Sequence, residues 1–313
     1  MNRGWYAMLA VMVLAGVGLV LSVRPAGAQP GAVTSRYVQV NPEGLPALKL
    51  YVEEAGRGRP LVLLHGLGGS GYAWRQVVPT LAKSFRVITL DLMGFGRSDK
   101  PMHDRYAPAD HASVVLAALR ALDVRGAALA GHSLGGLVAL LATIEANRGD
   151  AGRVSHVLLF NAPALPQPST EAVEFMKLPV VPYVVLSLVP AEATARVGLL
   201  GGGAQRMDHI SDTDISFYAD PLRSVGGAHG IIQSARQIAP ADPRPILKAY
   251  KTIHQPVLAA GCKDDPTVPI STAIALSKYL PRARLAVLDK CQHLPMEQNP
   301  RAVVAAVHNF LKR

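Results

Sequence analysis

Short apolar runs alternate with segments of helical spacing along most of this 313-residue chain, and this alternation narrows the choice of fold more than any other feature. Solid apolar runs at 60–64 (PLVLL) and 86–90 (RVITL) are typical of strands buried on both faces. Apolar residues recur at helical spacing in 72–84 and 111–122. Strands that alternate with helices are joined by right-handed crossovers, which predicts an α/β fold with a mostly parallel sheet and helices on both faces.

The same patterns predict the remaining elements. Two segments of period two, 35–40 and 48–53, flank the turn-forming residues 41–44 and indicate an antiparallel opening pair. Further strands are predicted at 127–130, 155–160, 256–260 and 284–288, and further helices at 134–146, 271–280 and 300–312.

A long segment without strand-like runs extends from about residue 163 to 252. Helix-compatible pieces occupy it instead, among them 169–178 and 223–238. Structureless loops of this length are rare in compact domains. We therefore predict an all-helical lid at 163–252, inserted between two parts of an α/β core at 29–162 and 253–313.

The first 28 residues have the features of an export signal or a membrane anchor. Residues 5–23 carry no charged side chain, Arg3 precedes them, and the small residues Ala26 and Ala28 are typical of a cleavage site. The same stretch is just long enough to span a bilayer as a helix. Both alternatives stay open. A retained anchor would associate with the membrane through residues 5–23. In either case we expect an exported protein, periplasmic, extracellular or membrane-anchored, with its body outside the cytoplasm.

Composition and charge exclude several classes of protein. Half of the residues are hydrophobic and 17% are charged, which is too apolar for a disordered chain. The net charge of +10 is dispersed along the sequence without a run of five or six like charges. Such dispersion allows weak attraction to anionic surfaces but forms no stripe for nucleic acid. Only two cysteines occur, which gives no zinc spacing. We therefore expect no nucleic-acid partner, no metal and no cofactor.

The motif Gly131-His132-Ser133-Leu134-Gly135 lies between a predicted strand and a predicted helix. In that context G-x-S-x-G places the serine on a tight turn, with its Oγ exposed above the sheet and a helix N-terminus behind it. The pentapeptide alone is a weak signal, so the prediction depends on the strand and helix around it. Ser133 is the candidate nucleophile, and it requires a base and an acid that orients the base.

Candidates for both groups follow the last two predicted strands. Asp264 and Asp265 come after strand 256–260, and His293 comes after strand 284–288. The carboxyl ends of strands are where open α/β sheets place their sites. The chain order Ser, Asp, His therefore predicts a triad, with either aspartate as the acid.

A glycine-rich turn at 65–69 (HGLGG) follows the first buried strand. Its backbone N–H groups can point at developing negative charge. We predict the amides of Leu67 and Leu134 as oxyanion donors. Phosphate binding is the competing interpretation, and the GK[ST] sequence of a phosphate-binding loop does not follow the turn.

Taken together, these stretches resemble the α/β-hydrolase superfamily, specifically its lidded serine hydrolase branch. The matches are LVLLHGLGGSGYAW (61–74), DLMGFGRSD (91–99), GHSLGG (131–136), DDPTVP (264–269) and CQHLPMEQNP (291–300), in family order. With the intervening elements they cover almost everything from residue 34 to 313. The resemblance implies Ser133 as nucleophile, His293 as base, Asp265 as acid, and Leu67 and Leu134 at the oxyanion hole. Counting from Pro269 selects Asp265 as the acid, whereas counting from Gly261 selects Asp264.

The resemblance also implies a small-molecule apolar ester or acyl substrate, cleaved through an acyl-serine intermediate. The same triad serves C–C bond hydrolases and cofactor-free perhydrolases, and a non-catalytic binding domain of this fold is an alternative from another class. Asn161 also follows a strand, where some relatives keep their acid, but an amide cannot supply the charge. The apolar lid residues that could face the substrate, or simply pack the lid on the body, are Phe175, Met176, Leu178, Val180, Val181, Tyr183, Val184, Val185, Leu186 and Leu188.

Cys262 and Cys291 lie in the predicted acid and histidine loops. Outside the cytoplasm a disulfide between these loops is feasible. The alternative is a pair of small buried thiols.

Overall fold

The computed structural model describes residues 33–201 and 210–312. The predicted signal or anchor at 1–28, with its apolar segment 5–23, lies outside the described residues. Within the described ranges no single helix is long and apolar enough to cross a bilayer. One pair of helices, Val181–Leu188 and Ala191–Gly201, meets the criteria of length and composition only in combination, with a bend of 118° between them.

One eight-stranded sheet organises the described chain, in the order β1-β2-β4-β3-β5-β6-β7-β8. Its strands are β1 (Thr34–Val40), β2 (Leu48–Ala55), β3 (Pro60–Leu64), β4 (Arg86–Leu90), β5 (Ala127–His132), β6 (Val154–Phe160), β7 (Val257–Cys262) and β8 (Ala283–Leu288). β1 pairs antiparallel with β2, and β2 pairs antiparallel with β4. The strands from β3 to β8 run parallel. The prediction of a mostly parallel sheet with an antiparallel opening pair is confirmed.

Helices cover both faces of this sheet. Those that precede β6 are α1 (Val78–Leu81), α2 (Pro108–Ala121) and α3 (Leu134–Gly149). Leu61 and Leu63 of β3 point into one apolar cluster, which includes Trp74. Val62 and Leu64, the alternate residues of the same strand, point into the other cluster. Successive side chains of a strand point to opposite faces, so a solid apolar run is what a strand between two helical layers requires.

The predicted helix 72–84 is wrong as a continuous element. The structure has a 3-10 turn at Gly71–Trp74 and then the single-turn helix α1. Pro79 lies in the first turn of α1. Proline has no backbone N–H and its ring clashes with the preceding turn of a helix, so one helix cannot run through this position.

Between β6 and β7 the described residues contain helices and no strand. These helices are α4 (Glu171–Lys177), α5 (Val181–Leu188), α6 (Ala191–Gly201), α7 (Asp212–Ala219), α8 (Val225–Gln237) and α9 (Arg244–Tyr250). We refer to this block, 171–250, as the helical insertion. After β7 follow α10 (Ile270–Tyr279), and after β8 follow α11 (Pro295–Gln298) and α12 (Pro300–Leu311).

Several apolar residues of the insertion lie at its surface. Of the residues predicted to face the substrate or the body, Leu186 is buried and contacts the apolar cluster of Ala228 and Ile232. Five others are exposed to solvent, namely Leu178, Val180, Val181, Val184 and Leu188. Hydrophobic composition alone therefore did not distinguish inward from outward positions here.

Candidate active site

Ser133 occupies a strained turn between β5 and α3. Its φ is +51°, in the region that side chains other than glycine rarely adopt. The turn depends on the two glycines of the motif: a Cβ on Gly131 would lie 2.1 Å from the carbonyl oxygen of Gly135, and a Cβ on Gly135 would lie 2.5 Å from that of Leu64. The Ser133 N–H donates to Phe160 O at 3.0 Å, which ties the turn to β6.

Ser133, His293 and Asp265 form a continuous hydrogen-bonded series. His293 Nε2 lies 3.0 Å from Ser133 Oγ, and His293 Nδ1 lies 2.9 Å from Asp265 Oδ2. All three side chains are buried. An ionised carboxylate only accepts hydrogen bonds, so Nδ1 carries the proton and Nε2 is free to accept the serine proton. This is the arrangement that a general base acting on an alcohol requires.

Of the two candidate acids, Asp265 is the one that contacts the imidazole. Its other oxygen accepts the backbone N–H groups of Thr267 and Val268 at 2.7 and 3.0 Å. Burial alone would raise the pKa of Asp265, but the hydrogen bond and charge of His293, assisted by Asn161 and Val268, hold that pKa below its usual value. Asp264 is exposed.

A disulfide between Cys262 and Cys291 links the acid and histidine loops. Cys262 ends β7, three residues before Asp265, and Cys291 lies two residues before His293. Both cysteines are fully buried. The bond therefore joins the two loops whose side chains meet in the triad.

The two predicted oxyanion donors lie at the ends of neighbouring elements. Leu134 is the first residue of α3, where N–H groups have no acceptor inside the helix. Leu67 lies in the turn after β3, which is closed by Gly69 N–H donating to Gly66 O at 3.1 Å. His65 holds this turn: its Nδ1 donates to Gly66 O at 2.8 Å, and its Nε2 accepts the Leu92 N–H at 3.0 Å.

Sequence reasoning found the position of Asn161 but assigned it no role. Asn161 follows β6, is buried, and has a φ of +50°. Its Nδ2 donates to Asp265 Oδ2 and, at 3.1 Å, to Gln292 O. The amide thus connects the acid to the residue before His293. The signal in the sequence for such a role is a polar residue directly after a strand.

His132 was also missed, because the variable position of G-x-S-x-G carries no signal of its own. Its Nε2 donates to His293 O at 2.6 Å. Burial, followed by the neighbouring charge of His293, lowers the pKa of His132 to about 3. His132 therefore stays neutral, and its hydrogen bond fixes the backbone of His293, the residue that would carry the serine proton.

A partly buried ionic network connects the helical insertion to the histidine loop. Arg75 donates from Nη2 to Asp214 of α7 at 2.5 Å and from Nη1 to Glu297 of α11 at 2.6 Å. The Tyr218 hydroxyl donates to Glu297 at 2.7 Å, and Tyr72 donates to Asp214 at 2.9 Å. The guanidinium is therefore neutralised by carboxylates on both sides.

In residues 33–201 and 210–312 no group of three His, Cys, Asp or Glu side chains could hold a metal ion.

The family follows from a match over most of the chain. The model of the alpha/beta hydrolase fold family matches residues 59–300, which contain the whole hydrogen-bonded series. The chain belongs to the α/β-hydrolase fold family. This α/β hydrolase thus shares the fold and the hydrolase class that its motifs implied.

Curated relatives of this α/β hydrolase include C–C bond hydrolases. It is 27% identical over 281 residues to the 2-hydroxymuconate semialdehyde hydrolase of Pseudomonas sp. (strain CF600), covering 84% of this chain and 90% of the relative. It is 26% identical over 293 residues to the 2-hydroxy-6-oxo-6-phenylhexa-2,4-dienoate hydrolase of Burkholderia cepacia, covering 90% and 97%. Among solved structures, a thermophilic esterase from Thermogutta terrifontis is similar with a TM-score of 0.69 and 23% identity, covering 88% of this chain and 98% of the esterase. That last likeness concerns the fold.

Proposed function

We propose that this hydrolase cleaves apolar carboxylic esters through an acyl intermediate on Ser133. The observation that carries the proposal is the unbroken series of contacts from Ser133 Oγ through His293 to Asp265, at 3.0 and 2.9 Å. A hydroxyl paired to an imidazole that is itself paired to a buried carboxylate is an activated nucleophile.

In the acylation step Ser133 Oγ attacks the ester carbonyl carbon while His293 Nε2 takes the hydroxyl proton. Asp265 stabilises the imidazolium that forms, because its carboxylate is ionised and faces Nδ1. The imidazolium then gives its proton to the leaving alcohol. A water molecule then attacks the acyl carbon while His293 Nε2 takes one of its protons. The imidazolium returns that proton to Ser133 Oγ as the bond to the acyl carbon breaks, and the carboxylic acid is released.

The oxyanion of each tetrahedral intermediate lies between the backbone N–H groups of Leu67 and Leu134 in this mechanism. Leu134 adds the positive end of the α3 dipole, because it is the first residue of that helix. Such preorganised donors typically contribute about 100-fold to 1000-fold each in turnover.

A neutral substrate fits the charges near the histidine loop better than an acidic one. A dienoate substrate carries a carboxylate that needs a cation. Arg75, which contacts the histidine loop through Glu297, is already held by Asp214 and Glu297. This pairing makes one cation of the described region less able to bind a carboxylate, which favours the ester over the acid.

C–C bond hydrolysis of a keto acid is the second candidate, and the named relatives favour it. Two of them are hydrolases of a semialdehyde and of a dienoate, each matching over most of its length. Cofactor-free perhydrolysis and a binding role without catalysis have no comparable support.

The test compares the two substrate classes on one protein. p-Nitrophenyl acyl esters of graded chain length and a 6-oxo-hexa-2,4-dienoate are assayed side by side, with Ser133→Ala as the nucleophile variant. We expect ester turnover to dominate and to fall by about 10⁴-fold or more in Ser133→Ala. Dominant turnover of the dienoate would transfer the proposal to C–C hydrolysis, and undiminished turnover in Ser133→Ala would end the mechanism.

The aspartates provide a matched pair of variants for the acid. Asp265→Asn removes the charge that faces His293 and is expected to lower kcat by about 10⁴-fold. Asp264→Asn changes the same charge one residue away on an exposed side chain, and kcat is expected to stay within about threefold. The reverse order of effects would identify Asp264 as the acid.

We further propose that the helical insertion acts as the lid and that the chain is exported. The lid proposal is supported by the Arg75 network, which joins α7 to the loop of His293. The export proposal is supported by the uncharged segment 5–23 and the small residues before position 29. A reporter fused after Arg313 that is active only in the cytoplasm would contradict export.

A further inference from the structure

The fold collects basic residues at one end of the sheet. Because β3 to β8 run parallel, the segments that lead into them meet at a single edge, which we call the amino end. The structure describes all six segments: 56–60, 82–86, 122–127, 150–154, 251–257 and 280–284. They contain nine Lys or Arg residues and two Asp residues, an excess of seven positive charges.

The opposite edge, which carries the triad, is nearly balanced in charge. The described segments that follow the same strands are 65–71, 91–107, 133, 161–169, 263–269 and 289–294. They contain six Asp residues and five Lys or Arg residues. Of the two edges of the sheet, the amino end therefore carries the excess of positive charge.

Part of the positive charge at the amino end is neutralised within the fold. Asp150 accepts from Arg120 and Arg153 at 3.0 and 2.9 Å, and Glu54 pairs with Arg86 at 2.8 Å. These pairs are ordinary structural contacts.

Two arginines at the β6–β8 side contact uncharged acceptors. Arg59 donates to Ser155 Oγ at 3.1 Å and to His156 Nδ1, and Arg282 donates to the carbonyl oxygen of His254 at 3.0 Å. Burial, and then the charges of Arg59 and Arg282, lower the pKa of His156 to about 4, which keeps this imidazole neutral.

An open cavity of about 330 Å³ lies at this side of the amino end. Arg282, Arg284, His156 and Phe310 line it, and Arg59 contacts it through His156. Arginine presents a planar array of N–H donors that suits phosphate oxygens.

The chain enters the fold at this same end. β1 is antiparallel to β2, and β2 is antiparallel to β4, so β1 runs in the direction of β3 to β8 and begins at their amino end. Ten residues, 24–33, separate the apolar segment 5–23 from the start of β1 at Thr34. An anchor at residues 5–23 would therefore join the fold at its amino end.

We propose that the amino end of the sheet docks on a bilayer surface that contains anionic phospholipid, with Arg59, Arg282 and Arg284 at the lipid phosphates. Basic residues near an anionic leaflet are attracted within about a Debye length of its surface. Docking in this orientation leaves the triad on the edge that faces away from the membrane.

Fluorescence quenching by headgroup-labelled lipid tests this orientation. The chain is expressed with residues 1–28, and the exported product is used, with or without those residues. The Cys262–Cys291 disulfide occupies both native cysteines. A cysteine introduced by Ser84→Cys, at the amino end, or by Met102→Cys, after β4 at the other edge, therefore carries the dye. In vesicles of phosphatidylcholine with phosphatidylglycerol we expect strong quenching at position 84 and little at position 102. About 1 M NaCl, which shortens the Debye length to about 3 Å, is expected to abolish it.

Charge variants identify the residues responsible. Arg282→Gln with Arg284→Gln is expected to lower the ratio of docked to undocked chain about 30-fold, because each basic residue contributes about fivefold. Lys177→Gln with Arg196→Gln removes the same charge from the helical insertion and is expected to leave the ratio unchanged. The lipid and salt comparisons on the parent protein do not depend on these variants.

Four outcomes would overturn the proposal. Two concern the vesicles: equal quenching at positions 84 and 102, or equal quenching on pure phosphatidylcholine. Displacement by inorganic phosphate at constant ionic strength would indicate a free-anion site, and tighter binding of duplex DNA than of anionic vesicles would indicate a nucleic-acid surface.

Discussion

At position 161 the side chain is an amide that contacts the carboxylate of Asp265. A carboxylate at the same position would face Asp265 with a second negative charge. Asn161 Nδ2 donates to Asp265 Oδ2, and this bond contributes to the lowered pKa of Asp265. Asn161→Asp replaces the donor by a negative charge. Two adjacent carboxylates repel each other, so the added charge raises the pKa of Asp265 and lets the pair hold a proton at higher pH. A protonated Asp265 does not stabilise the imidazolium, so we expect the acid limb of kcat/KM against pH to move up by about one unit or more.

The control for this variant is Asn161→Gly, which keeps the backbone conformation at φ +50° and removes the amide without adding charge. Its pH profile is expected to shift by less than that of Asn161→Asp, while kcat falls in both. The same acid limb in the parent and in Asn161→Asp would show that the amide does not govern the charge of the triad.

At the scale of elements, the Cys262–Cys291 disulfide joins the end of β7 to the histidine loop across 29 residues of chain. A crosslink that closes a loop of this length stabilises a fold by about 3–4 kcal/mol in the chain-entropy estimate. We expect Cys262→Ala with Cys291→Ala to lower the free energy of unfolding by about that amount, measured by denaturant titration. Reductant should lower the unfolding midpoint of the parent and leave that of the variant unchanged. A reductant effect of equal size in both proteins would contradict this assignment.

The Arg75 network is the second connection between elements. Arg75→Met leaves Glu297, whose side chain is fully buried, without its cation. Breaking a pair of this kind costs about 3 kcal/mol, because an uncompensated charge stays in the interior. The free energy of unfolding should recover by about half or more when Glu297→Gln is added, since the stranded charge is then gone. Denaturant titration of the parent, both single variants and the double variant measures the coupling, and additive effects would show that the two side chains act independently.

How far the sequence predicts elements depends on whether the deciding signal is local. The buried strand β5, Ala127–His132 in the structure, is predicted at 127–130 from its own apolar run. The break in the predicted helix 72–84 depends on Pro79, which is also a local signal. The prediction of a continuous helix gave more weight to the apolar spacing than to this proline. The choice between Asp264 and Asp265 is not local. Only the fold shows which carboxylate reaches His293, because the answer depends on where another loop lies.

The distribution of charge is a property of the whole molecule that the sequence conceals. The basic residues are dispersed along the chain, as the sequence indicates, yet nine of them lie in segments that lead into parallel strands and meet at one end. No window of sequence contains this pattern, since it arises from the shared direction of six strands. In the docking proposal, the attraction to anionic surfaces that composition allows in general acts at this end.

Local stability should also divide the whole molecule, because burial differs between the sheet and the helical insertion. All six residues of β5 are buried, whereas α4 has none and α5 has two. Segments with few buried contacts open at a lower free energy than the core. We expect amide hydrogens of α4 and α5 to exchange at least about 100-fold faster than those of β5, as measured by mass spectrometry. α12 is the matched control, since it is also a surface helix but buries Val303, Val307, Phe310 and Leu311, and its exchange should be slower than that of α4.

A fluorophosphonate bound to Ser133 should slow exchange in the insertion if these helices close over the phosphonyl group on the serine. Protection of α4 and α5 equal to that of β5 in the free protein would show that the insertion is part of the rigid core, and the lid proposal would then have no mobile element to act through.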